Sequence, residues 1–98
     1  MNLEQSAQAH GLQPSSSTEK YMAALWLEIL GIDKVGLPNK FLEVGGNSLT
    51  LNLILTRIEA EKGVAINAQL FFDDERSSLF ELSKELDLLL AASSARAV

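Results

Sequence analysis

Apolar residues recur at helical spacing in three separate stretches of this chain. In the first, Tyr21, Met22, Leu25, Trp26 and Ile29 fall on one face and stop at Gly31, a residue suited to ending a helix. Ser16, with Glu19 three residues on, has the form of a capping box, and Thr18 is a second possible cap, so the pattern predicts a helix over about 18–30. In the second, Leu51, Ile54, Leu55 and Ile58 share a face over 48–62, with Gly63 as the stop. Leu49, Leu53 and Ala60 fall on nearly the opposite side, beside Ser48. In the third, Ser78 and Glu81 open a helix whose Leu79, Leu82, Leu86, Leu89 and Leu90 point inward.

Between the first two helices runs a long connection, 31–47, containing Gly36, Pro38, Gly45 and Gly46. Structureless segments of that length are uncommon in small domains unless tied down or functional. Ile32, Val35, Leu37, Phe41, Leu42 and Val44 supply anchors, which predicts an ordered loop pinned over the bundle. After Gly63 the chain is extended through Ile66, and Asn67 can cap a single short turn ending at Phe71 or Phe72. Residues 73–76 are a polar loop. No alternating strand pattern of useful length occurs. The expectation is an all-α bundle of three main helices and one short third helix, spanning 16–90, with tails at 1–15 and 91–98.

Ninety-eight residues, 47% hydrophobic and 21% charged, make one small globular domain. A net charge of −5 lacks the cationic surface that nucleic acid requires. No apolar run approaches the length of a membrane span, and the N-terminus lacks a secretory pattern, so a cytoplasmic location is expected. The absence of cysteine excludes disulfides, thiolate metal sites and cysteine nucleophiles. The sole histidine, His10, falls in the leader. Without the usual base and nucleophile the chain reads as no enzyme, and any thiol chemistry would need a prosthetic group.

The segment Phe41-Leu42-Glu43-Val44-Gly45-Gly46-Asn47-Ser48-Leu49 places a serine after a Gly-Gly pair at the start of a helix. A hydroxyl there lies where N–H groups and the positive end of the helix dipole favour an attached phosphate. Two readings are open. Ser48 is a helix N-cap and nothing more, as serine commonly is, in a non-catalytic interaction module. Or it is a modified residue, approachable because Gly45 and Gly46 lack side-chain bulk. The outward leucines are likewise open: Leu53 is either buried under the loop or a neighbouring short helix, or part of a docking stripe for partner proteins, the reading adopted for Leu49.

Residues 18–90 resemble the carrier proteins of nonribosomal peptide and polyketide assembly lines, most closely the peptidyl carrier type. The family segment Asp-x-Phe-Phe-Glu-Leu-Gly-Gly-His-Ser-Leu is echoed from Asn39 to Leu49. Leu25-Trp26-Leu27-Glu28-Ile29-Leu30-Gly31 is similar to the family's first helix, and Gly63-Val64 with Leu70-Phe71-Phe72 to the lead into its third. Asn39 and Asn47 stand where Asp, and His or Asp, are usual. Asn67 and Ala68 replace a common proline, and the 73–77 loop lacks a Pro-Thr pair.

The resemblance implies that Ser48, flanked by Gly45, Gly46 and Asn47, receives 4′-phosphopantetheine from coenzyme A through a phosphopantetheinyl transferase. The thiol would carry aminoacyl, peptidyl or acyl cargo among adenylating or acyl-loading, condensing, tailoring and releasing enzymes, as in antibiotic biosynthesis. A free-standing monomer is expected. Helix two carries Glu59 and Glu61 against Arg57 and Lys62. Docking is therefore expected to lean on Leu49 and Leu53, with charge secondary.

Overall fold

The computed structural model describes residues 13–96. Three α-helices, α1 (Ser17–Leu30), α2 (Ser48–Lys62) and α3 (Leu79–Arg96), are joined by a 3-10 helix, Ala68–Phe72. This is the expected all-α bundle with its short third helix. Helix α1 packs against both α3 and α2, and α2 also touches the 3-10 helix.

The helix ends follow from local chemistry. Ser16 accepts from the Glu19 N–H at 3.0 Å while the Glu19 carboxylate accepts from the Ser16 N–H at 3.1 Å, the reciprocal cap expected of that pair. Backbone donors from Ser15 lead the effects that hold the Glu19 carboxyl below its usual range, against some burial. Gly31 and Gly63 close α1 and α2 at φ +68° and +74°, the left-handed region that glycine enters without a Cβ penalty. Asn67 accepts from the Gln69 N–H and caps the 3-10 helix. Asp73 accepts from Glu75 and Arg76 N–H groups at 2.8 and 3.0 Å, holding the polar turn. Ser78 accepts from the Glu81 N–H at the head of α3.

Helix α3 runs to Arg96, where a tail from residue 91 was expected. The leucine period lapses after Leu90, but Ala91 to Arg96 contains no glycine or proline, and alanine and arginine are strong helix formers. Propensity carries the helix past the end of its apolar face. The proposed 1–15 leader lies outside the described residues except for 13–15.

Met22, Leu25 and Trp26 from α1, Leu51, Ile54 and Ile58 from α2, and Leu79, Leu82 and Leu86 from α3 fill the centre. The long connection is ordered and pinned, as its anchors predict. Leu37 and Phe41 are buried, and Val35 and Val44 pack partly against the core. Leu42 departs from the expectation: it is 53% exposed, because the turn that buries Phe41 points its successor outward. The loop is also laced to α3. Phe41 N–H donates to the Ser77 carbonyl at 3.0 Å, Leu79 N–H to Asn39 at 2.9 Å and Phe80 N–H to Leu37 at 3.0 Å.

Candidate functional site

Phe41 fixes the geometry of the loop that leads into α2. Its ring meets Trp26, Phe71 and Phe72 edge-on, with centroids 5.5, 5.2 and 6.4 Å away, a favoured arrangement of aromatic quadrupoles. From this anchor the chain turns tightly. Lys40 N–H donates to the Glu43 carboxylate at 2.9 Å, and Gly46 N–H returns to the Phe41 carbonyl at 2.9 Å.

The two glycines serve different needs. Gly45 sits at φ +99°, and apart from its chain neighbours no atom of the described residues lies within 4 Å of a hypothetical Cβ, so its demand is conformational. Gly46 has no such φ, but a Cβ there would lie 2.4–2.5 Å from three carbons of the Phe41 ring. Its demand is space.

The N-cap of α2 is Asn47. Its backbone is extended at φ −152°, its side-chain oxygen accepts from the Thr50 N–H at 3.0 Å, and its own N–H donates to Thr50 Oγ1 at 2.9 Å. This overturns the reading of Ser48 as merely a cap. Asparagine ranks with serine as a capping residue, and Thr50 plays the part usually given to Glu or Gln, which is why the box is hard to see in the sequence. Ser48 is thereby the first residue of the helix, exposed, and its hydroxyl has no hydrogen-bonding duty to the described residues.

Around it, Leu49 is 69% and Leu53 49% exposed. That settles Leu53 as an outward residue, not one buried under the loop. Phe72, 45% exposed and edge-on to Phe41, brings the end of the 3-10 helix to the same neighbourhood. The exposure of Phe72 and Leu42 is not readable from the sequence, since each follows a phenylalanine that does enter the core.

Farther down α2, side chains reach across to α1. Arg57 donates to both Glu28 carboxylate oxygens, at 3.4 and 3.1 Å, and this contact holds the Glu28 carboxyl below its usual range. Tyr21 donates to Glu61 at 2.7 Å, and Lys62 lies 4.5 Å from the Tyr21 ring centre. Burial first, then the Glu61 bond, raises the Tyr21 phenol above its ordinary range.

A small helical bundle that holds an uncommitted, exposed serine at the first turn of a helix, with exposed Leu49 next to it and Leu53 one turn on, has the make-up of a carrier domain. The chain belongs to the phosphopantetheine attachment site family, whose model matches residues 20–86. It is 38% identical over 74 residues to surfactin synthase subunit 1 of Bacillus subtilis (strain 168), covering 76% of this chain and 2% of that protein. Its length is thus a small fraction of that relative's. Among solved structures it is similar to BlmI, a type-II acyl-carrier-protein from Streptomyces verticillus involved in bleomycin biosynthesis. That match has a TM-score of 0.66 and 27% identity, over 76% of this chain and 87% of that one. The fold also matches a chain in the complex of the phosphopantetheine transferase Sfp with coenzyme A and a peptidyl carrier protein. There the TM-score is 0.72 at 19% identity, over 79% of this chain and 97% of that one.

Membership means that the chain is a carrier protein, tethering intermediates through covalent 4′-phosphopantetheine. The residues present fit that group: an exposed hydroxyl relieved of capping, a Gly-Gly turn before it, and a helix N-terminus beside it. Among the described residues, no helix is long and apolar enough to cross a membrane.

Proposed function

We propose that Ser48 is the attachment residue and that the chain is a peptidyl carrier protein of nonribosomal peptide synthesis. The observation that carries the assignment is the transfer of capping to Asn47 and Thr50, which leaves an exposed Ser48 hydroxyl without a structural task. On modification the Ser48 oxygen bonds to the pantetheine phosphate of coenzyme A. The bond to 3′,5′-ADP breaks, and the hydroxyl proton leaves to a base of the transferase. The group then supplies a thiol on a long flexible arm, which the cysteine-free chain lacks.

The chain's own residues position and present. Gly45 and Gly46 shape the turn before the serine, the first through its φ of +99° and the second by leaving room for the Phe41 ring. The first turn of α2, fixed by Asn47, places its positive end beside the phosphodiester, worth about 0.3–1 kcal/mol. Leu49 and Leu53 form the docking face, extended by Leu42 and Phe72. Transferase, adenylating, condensing, tailoring and releasing enzymes are the partners this reading assigns, and the bond-making chemistry is theirs. The likenesses to surfactin synthase subunit 1 and BlmI support the biosynthetic setting.

The test is intact-mass analysis after incubation with coenzyme A and a broad-specificity transferase. One phosphopantetheine is gained by the wild type and none by Ser48→Ala. A folded wild type that gains nothing, or a Ser48→Ala protein that still does, overturns the assignment.

A further inference from the structure

The row on α2 that begins with Leu49 and Leu53 continues, four residues at a time, through Arg57 and Glu61. Geometry alone would extend the apolar stripe into a charged one. The fold prevents this. Glu28 on α1 draws the Arg57 guanidinium to it at 3.1 and 3.4 Å. Tyr21 on α1 holds Glu61 at 2.7 Å and lies beneath the Lys62 ammonium. Of the four charged side chains of α2, three are thus committed to α1, and Glu59 remains. Nearer Ser48, Glu43 is bonded to the Lys40 N–H and the Lys40 ammonium to Asp74 at 3.3 Å.

We propose that Glu28 and Tyr21 are specificity-determining residues that act at a distance, holding the charges of α2 off the docking row so that it fits partner enzymes with an apolar, weakly charged carrier-binding cleft. A loose guanidinium one turn beyond Leu53 would have to be stripped of water against such a cleft without a compensating anion, which is costly. A paired one need not move. This inference rests on the reading of Ser48 as the attachment point, but the two fail separately.

The experiment measures kcat/KM for the carrier with a broad-specificity phosphopantetheinyl transferase at saturating coenzyme A, alongside melting temperatures. Glu28→Gln releases Arg57 and is expected to lower kcat/KM about threefold or more, since a charge left without its partner at an interface weakens association. Its melting temperature should change little, because Glu28 is mostly exposed and Arg57 half-buried, and ion pairs at a surface contribute little to stability. Glu28→Gln with Arg57→Gln removes the released charge and should restore the wild-type value. Raising salt from about 0.1 M to about 1 M shortens the screening length from about 10 Å to about 3 Å and should leave the wild type nearly unchanged.

A Glu28→Gln protein as good as wild type overturns the proposal. So does a double variant as poor as Glu28→Gln, which would make the loss structural, or a wild-type rate that falls steeply with salt, which would require a charged cleft. A folded wild type that is never modified instead sinks the assignment of Ser48.

Discussion

Gly46→Ala should destabilise the domain through one identifiable collision. The added methyl carbon would stand 2.4–2.5 Å from three carbons of the Phe41 ring, where carbon atoms rest at about 3.5–4.0 Å. Relief needs a shift of more than about 1 Å by the ring or the backbone. The ring has nowhere to go: it is fully buried between Trp26 and Phe71. The backbone is held by the Gly46-to-Phe41 and Phe41-to-Ser77 hydrogen bonds. Forcing extra volume into such a site costs about 1–3 kcal/mol, which in a domain of this size lowers the melting temperature by roughly 5–20 °C.

Two companions separate this cause from others. Gly45→Ala meets open space and is penalised only for its φ of +99°, by about 1–2 kcal/mol. Phe41→Leu destabilises by itself but makes room for the Gly46 methyl. Thermal unfolding followed by circular dichroism on the single and double variants should give a Phe41→Leu/Gly46→Ala pair less damaged than the sum by about 1 kcal/mol. The Phe41→Leu/Gly45→Ala pair should be closer to additive. A Gly46→Ala protein melting within about 2 °C of wild type, or strict additivity with Phe41→Leu, refutes the collision as the cause.

Asn47→Ala should cost about 1 kcal/mol by removing the cap of α2, whereas Ser48→Ala, with no cap to lose, should cost under about 0.5 kcal/mol; chemical denaturation of the two variants reverses this order if Ser48 is the true cap. Ser83, 1% exposed, has a buried hydroxyl with no hydrogen-bond partner among the described residues. Ser83→Ala should therefore be neutral or stabilising by up to about 1 kcal/mol, and a clear loss of stability in the same assay would show that the hydroxyl is satisfied in solution.

Much of this fold is legible in the sequence, because its helices obey two local rules. Apolar spacing selects Leu51, Ile54 and Ile58 for the core, with Leu55 partly buried beside them, and Gly31 and Gly63 mark stops that the backbone uses. The end of α3 is not legible from periodicity, since Ala91 to Arg96 stays helical by propensity after the apolar face has run out. The sequence also hides the distinction between adjacent residues of one type. Phe71 is buried and Phe72 is not, and Leu42 points away from the core that swallows Phe41. Such choices are made by the turn geometry, which depends on partners distant in the chain.

The site shows the same division more sharply. Its serine can be picked out from the Gly-Gly pair and the helix start, but the reason Ser48 is available cannot. That reason lies in Asn47 and Thr50, which together satisfy the amides that a lone serine would have been recruited to cap. Rigidity and accessibility are thereby assigned to different residues. Phe41, Gly46 and Asn47 hold the turn through contacts that do not involve the Ser48 side chain, so under the proposed assignment a group attached there would swing without loosening its support. A carrier needs that separation. An attachment residue that also capped its helix would trade a hydrogen bond for every modification, and the first turn of α2, with Leu49 on it, would differ between the bare and loaded states.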